Sequence, residues 1–345
     1  MGKFTGYEEA IKNRDILSIQ MNLLNTCPSR CLSCRKYEWP NVQLEFETIE
    51  LTLKCLKEMA GLQSVVFSGG EPLMYKHLPQ VIELCQQLDI KYSLITTLIT
   101  TKYDLLELVA KTAYRIHTSI DSVRNERYAY IRGVDAFDRV KESIMVINTK
   151  RPKEMIPIRI SATMSNLNYE EVLDLYAFAK NNNCLLNYYN LHTWEDMKMS
   201  VSERLMFQQF LKSVVDDEII SGKKITNARD LYMDNWYGTA GEAYKKKQTR
   251  CYLPIIGATI DSNGDIYPCC KLLNDNGEYG EQTKYAYGNI SRCKTYESIE
   301  IEFSKRFGIK YGTNCSICQE CAQRYSGMIE DLAKIMENKR EPIFL

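Results

Sequence analysis

The stretch "NTCPSRCLSC", residues 25–34, sets Cys27, Cys31 and Cys34 at C-x3-C-x2-C spacing with no fourth cysteine nearby. A structural zinc site is closed by four protein ligands, so three thiolates leave it incomplete. An iron–sulfur cubane held by three thiolates keeps one iron free for another ligand. The missing fourth thiol is therefore the informative part of the stretch. Before it, "ILSIQMN" (residues 16–22) reads as a strand, and residues 48–59 after it follow a helical period.

The same alternation continues outward. "SVVFS" (64–68), "KYSLITT" (91–97), "YRIHTSI" (114–120), "IPIRISATM" (156–164) and "LLNYYNL" (185–191) read as strands. Helical patterns at 78–88, 102–111, 136–148 and 169–180 separate them. Six strands alternating with helices imply a parallel sheet, because each crossover must return over one face. An open doubly wound sheet and a partly closed (β/α) barrel both satisfy this pattern. In either, the loops after the carboxyl ends of the strands carry the chemistry, and both the cysteine loop and "GGEP" (69–72) lie there.

Composition narrows the function classes. Lys and Arg total 44 and Asp and Glu total 44 in 345 residues, so no global field marks a nucleic-acid or anionic-membrane binder. No apolar run reaches the roughly 20 residues that span a bilayer. "MGKFTGYEEAIKNRD" (1–15) lacks the apolar core of a secretion signal, so a cytoplasmic protein is expected. A reducing cytosol does not sustain structural disulfides, and 13 cysteines then need another explanation. Cys55, Cys85 and Cys184 sit singly in apolar patterns and read as small buried hydrophobes. The rest form two clusters, and clusters indicate metal before disulfide.

With these residues in place, the sequence resembles the radical S-adenosylmethionine (radical SAM) superfamily. Its signature is this cysteine spacing in the loop after the first strand, and the resemblance implies a partial (β/α)6 TIM-like barrel. It further implies a [4Fe–4S] cluster on Cys27, Cys31 and Cys34 whose open iron chelates S-adenosylmethionine. "SGGEP", Ser68, Gly69, Gly70, Glu71 and Pro72, matches the second-strand motif whose backbone binds the amino group of that cofactor. "TSIDSVRNERYAYIRG" (118–133) looks like the family's fourth-strand segment, which makes Ser119 and Asp121 cofactor-pocket candidates. One departure is Ser33, where the family commonly has an aromatic residue against adenine; Tyr37 or Trp39 is the substitute surface.

The second cluster is patterned as well. Cys251, Gly264 and Cys269 form C-x12-G-x4-C, in which "GATID" and "DIYPC" flank a turn at "SNGD". Cys315, Cys318 and Cys321 follow at C-x2-C-x2-C. This resembles the SPASM/twitch extension and implies an auxiliary [4Fe–4S] cluster on Cys251, Cys269, Cys315 and Cys318, with Cys321 competing with Cys315. A zinc ribbon fits the same spacing. The expected organisation is a short segment at 1–15, the radical SAM core at 16–199, a helical linker at 200–250, the auxiliary-cluster domain at 251–325, and a helix and tail at 326–345.

The expected activity is reductive cleavage of S-adenosylmethionine to a 5′-deoxyadenosyl radical that abstracts hydrogen from substrate, with flavodoxin or ferredoxin as electron donor. Only about fifteen residues precede the first strand, which leaves no room for a leader-binding domain. The reading therefore favours a small polar substrate, a sugar, aminocyclitol or related metabolite, undergoing dehydrogenation or epimerisation. Cys270 is then the candidate hydrogen-atom donor, with Cys184 as another. A peptide maturase and a non-catalytic zinc-binding module are the alternatives, and neither nucleic acid nor membrane is an expected partner.

Overall fold

In the computed structural model, which describes residues 15–34, 38–190, 195–233, 256–273 and 284–308 together with Asn13, the first apolar run forms β1 (Ser18–Leu24). It is buried at every position, as a strand covered on both faces must be. There follow α1 (Phe46–Ala60), β2 (Ser64–Gly69), α2 (Leu78–Gln87), β3 (Lys91–Thr96), α3 (Tyr103–Thr112), β4 (Arg115–Ser119), α4 (Asn125–Arg132) and α5 (Phe137–Lys150). The chain continues through β5 (Arg159–Met164), α6 (Val172–Asn181), β6 (Leu185–Asn190), α7 (Val201–Ser221), α8 (Ala228–Met233), β7 (Gly257–Ile260) and β8 (Asp265–Tyr267). It ends, among the described residues, with α9 (Cys270–Leu273), β9 (Gly288–Asn289) and α10 (Tyr296–Ser304). All six expected strands are present. Their internal contacts divide the chain into two units, Met1–Asn25 with Pro40–Tyr92 and Ala240–Leu345, and Thr26–Trp39 with Ser93–Thr239.

In the first unit β1 lies between β2 and β7, parallel to both, and Ser18 stands opposite Ser64 on one side and Gly257 on the other. β7 turns back into β8, which pairs with β9. The hairpin was legible in the sequence; its seat beside β1 was not. Two side-chain bonds fix it there: Asn22 donates to the Asp261 carboxylate at 2.9 Å, and Ser262 donates to the Asn25 amide oxygen at 2.7 Å. The helix α1 buries Ile49, Leu53, Cys55 and Leu56 on one face and packs against α2 and α10. Cys55 and Cys85 are almost wholly buried, as small hydrophobes in helices.

The second unit carries β3 from Ser93 onward, then β4, β5 and β6, all parallel. Along β5, Ile160, Ala162 and Met164 are buried whereas Arg159, Ser161 and Thr163 remain partly exposed. This period-2 alternation gives the strands one apolar face and one polar face. The segment read from the sequence as a linker is more firmly integrated than that. Glu218 on α7 is buried, and its carboxylate accepts the backbone N–H groups of Ile225 and Thr226, each at 2.7 Å. The strap so formed continues the ladder of β6: Leu186 donates to Ile225 at 2.8 Å, and the Asn227 side chain bonds both backbone groups of Tyr188.

Candidate functional site

In the second unit, the cysteine loop is held by the end of α4. Arg30 donates its N–H to the Arg132 carbonyl and Leu32 donates to that of Ile131, both at 3.0 Å. Gly133, at φ +64°, ends α4 directly against the loop. A Cβ there would lie 2.4 Å from the Arg30 carbonyl oxygen, so only glycine permits this approach. Cys31 is buried, Cys27 is half-buried and Cys34 is exposed. A tight turn, with the Cys34 N–H donating to the Cys31 carbonyl at 3.0 Å, brings the last two close.

Burial pushes the Cys31 thiol up to about 11; Arg132 opposes the shift, while Asp121, Cys34 and Cys27 add to it. Arg132 is itself buried, and its guanidinium donates to the Asp121 carboxylate at 3.1 Å. Burial alone would lower its pKa, but Cys31, Asp121 and Tyr128 outweigh it, so the group stays charged. The Arg132 Nε and the Tyr128 hydroxyl are buried without a well-formed hydrogen bond. Among the described residues no three metal-binding side chains converge into a finished cage. The donor chemistry nonetheless suits an iron–sulfur cluster: three thiols on one loop, graded from buried to exposed, with Cys31 within electrostatic reach of Cys27, Cys34 and Arg132.

Asp121 does less, and more, than the sequence suggested. One carboxylate oxygen accepts the Thr163 N–H at 2.7 Å and the other accepts Arg132, and the residue is 1% exposed. Both oxygens are thus engaged within the protein. Ser119 lies on the partly open polar face of β4. That face also carries Arg115 and His117, with Arg159 opposite His117, Asn187 opposite Ser161, and Tyr189 opposite Thr163. With its amide oxygen facing the donors, Asn187 accepts from the Tyr189 hydroxyl at 3.1 Å and from Arg159 at 3.2 Å. Burial, Arg159 and Arg115 together lower His117 to about 4, so it is neutral at pH 7.

The first unit holds the glycine turn. Gly69, at φ +122°, would place a Cβ 2.4 Å from the Leu24 carbonyl oxygen, and Gly70 donates its N–H to that oxygen at 2.7 Å. The glycines thus bring the end of β2 against the end of β1. Glu71 is wholly buried and accepts the Leu73 N–H at 2.9 Å, ordering the turn that begins at Pro72. Ser68 is half-buried, opposite Asn22. Cys269 and Cys270 are half-buried at the end of the β7–β8 hairpin. Cys293 is a packed thiol donating to the Asn289 carbonyl. Cys184 is buried and precedes β6, at the amino end of the strand, where its thiol faces the Asn182 carbonyl. Cys251, Cys315, Cys318, Cys321, Tyr37, His192 and the C-terminal helix lie outside the described residues. Sequence reasoning missed Arg132, Arg115 and Arg159, since single arginines on a strand or helix carry no spacing signal.

A parallel β/α fold with a three-thiol loop after its first strand and a glycine turn after its second defines a class of cluster-dependent enzymes. Residues 21–179 match the family described as Radical SAM superfamily, so the chain contains a radical SAM domain. Members use a [4Fe–4S] cluster and S-adenosylmethionine. The chain is 26% identical over 191 residues to the probable GTP 3′,8-cyclase of Pyrococcus abyssi, covering 54% of this chain and 60% of that protein. With the probable GTP 3′,8-cyclase of Saccharolobus islandicus (strain M.14.25 / Kamchatka #1) it shares 29% over 174 residues, 49% and 54% of the two lengths. The matches thus span little more than half of these relatives. Among solved structures, Streptococcus suis SuiB bound to S-adenosylmethionine gives a TM-score of 0.61 at 18% identity, covering 96% of this chain and 79% of that one. SuiB bound to the precursor peptide SuiA gives 0.63 at 18%, covering 92% and 73%. The anSMEcpe structure with bound AdoMet gives 0.61 at 16%, covering 93% and 99%. These likenesses show the fold, the partial (β/α)6 barrel type expected from the sequence. Among the described residues no helix is long and apolar enough to cross a membrane.

Proposed function

We propose that the protein is a radical SAM enzyme whose cluster is held by Cys27, Cys31 and Cys34, and whose substrate is polar and carries an anionic group. The observation that supports the first part is the clamp of α4 on the loop that carries the three thiols, with the buried Arg132 within electrostatic reach of Cys31. When bound, the cluster and S-adenosylmethionine supply a 5′-deoxyadenosyl radical that removes hydrogen from the substrate. The chain's own residues bind, orient and exclude water. Cys31 enters a buried setting, the Ser68–Pro72 turn offers backbone groups to the amino end of S-adenosylmethionine, and Ser119 presents a hydroxyl on the open strand face.

The substrate reading rests on that same face. Arg159 sits among His117, Arg115 and Tyr189, with no carboxylate against it among the described residues. A partly buried guanidinium without a fixed counter-charge suits a carboxylate or phosphate of the substrate. A peptide presents such a group, and the SuiB neighbour with bound precursor peptide favours this second, more specific reading over the sugar or aminocyclitol class. The C-terminal thiols, with Cys269 the described member, are assigned to an auxiliary [4Fe–4S] cluster, and Cys270 to hydrogen-atom donation if the net reaction is epimerisation. An electron donor of the ferredoxin or flavodoxin type is part of the same proposal.

The test compares anionic with neutral members of a substrate panel, including GTP and carboxylate-bearing peptides, by the rate of 5′-deoxyadenosine release. An anionic substrate accelerates release, and Arg159→Gln raises its KM by about 10-fold or more, the effect of losing one charge-assisted hydrogen bond. An unchanged KM for the best substrate sinks the anion assignment.

A further inference from the structure

Buried arginines are rare unless their charge has a purpose, because the interior penalises an ion that is not paired. Among the described residues Arg132 has one carboxylate partner, Asp121, which is itself held by the Thr163 N–H. Cys31, on the loop that the Arg132 backbone holds, lies within electrostatic reach of it. The backbone of the same residue grips the cysteine loop through the Arg30 N–H, so charge and loop position are set by one element. Tyr128, one turn earlier on α4, adds a buried hydroxyl beside the guanidinium.

We infer that Arg132 is a positioning residue for the N-terminal cluster, its buried guanidinium fixed by Asp121 beside the loop that its own backbone holds, where it offsets the negative charge that thiolate ligation and reduction bring. The inference rests on the assignment of Cys27, Cys31 and Cys34 as cluster ligands. One-electron reduction of a [4Fe–4S]2+ cluster to [4Fe–4S]+, with dithionite as the donor, adds one negative charge and no proton. A fixed cation nearby stabilises the reduced form more than the oxidised form and raises the midpoint potential. Asp121 serves to fix the direction of the guanidinium, and its own charge is shared with the Thr163 amide. Removing the cation while keeping the fold therefore makes the cluster harder to reduce.

The experiment uses the full chain reconstituted with iron and sulfide, followed by a redox titration read by electron paramagnetic resonance in the absence of S-adenosylmethionine. Iron content of the wild type tests the underlying assignment: reconstitution without bound iron at the N-terminal site, judged against Cys31→Ala, overturns that reading first. Given a loaded wild type, Arg132→Met is expected to shift the midpoint of that site to a more negative potential, and Arg132→Lys to restore most of the shift. Because Arg132→Met leaves Asp121 buried without its partner, the double variant Arg132→Met with Asp121→Asn is measured alongside it as a fold-preserving control. It is expected to retain iron and to keep a lowered potential. A midpoint equal to wild type in the double variant, or a lysine variant shifted as far as the methionine one, overturns the inference.

Discussion

Gly133 shows how one residue couples backbone geometry to a candidate cofactor loop. Its φ of +64° and the 2.4 Å that a Cβ would leave to the Arg30 carbonyl make alanine doubly costly. Gly133→Ala is expected to destabilise the protein by about 1–3 kcal/mol, the usual cost of a side chain forced into such backbone, and to lower bound iron per chain after reconstitution. Denaturant midpoint and iron count check both parts. At the same scale, His117 makes stability depend on pH. Its folded-state pKa is lowered to about 4 from the ordinary 6.5, by burial first and then by Arg159 and Arg115. Between these values the unfolded chain binds the proton and the folded chain does not. The stability contributed by neutral His117 is therefore present above pH 6.5 and is lost as pH falls toward 4, by about 2–3 kcal/mol. Urea titrations across this window, with His117→Gln flattening the dependence, measure it.

Among the elements, α7 and its strap behave as part of the sheet rather than as a connector. Glu218→Ala removes an acceptor for two buried N–H groups at 2.7 Å and is expected to cost about 2–4 kcal/mol, read from the denaturation midpoint. The sequence showed helical period in this region but not its destination, because the bonds from 218 to 225 and from 186 to 225 are specified by single polar atoms. The six strands were legible for the opposite reason: each is an apolar run long enough to show its period, and the observed bounds differ by only a few residues. The short helix α4 escaped notice, since only Tyr128, Ile131 and Arg132 are buried along it and its exposed face is polar. The β7–β8 hairpin was readable from its turn residues, whereas its register with β1 depends on Asn22 meeting Asp261 across a separation of 239 residues.

For the whole molecule, the cysteine pattern and the glycine turn were sufficient to point to the radical SAM domain that residues 21–179 match. They name candidate residues for a shared cofactor, and such residues have fixed spacing. The proposed substrate surface does not. Arg115, His117, Arg159, Asn187 and Tyr189 come from three strands and meet only through sheet register, so no linear motif announces them. This is why the sequence pointed to a sugar-like substrate by elimination, while the folded chain presents cations. The central claim is radical cleavage of S-adenosylmethionine at the Cys27, Cys31 and Cys34 loop, and the most direct test is 5′-deoxyadenosine formation by the reconstituted protein with dithionite. The wild type is expected to release 5′-deoxyadenosine and methionine in equal amounts, and Cys31→Ala to release neither. A fully iron-loaded wild type that forms no 5′-deoxyadenosine, with or without substrate, would contradict it.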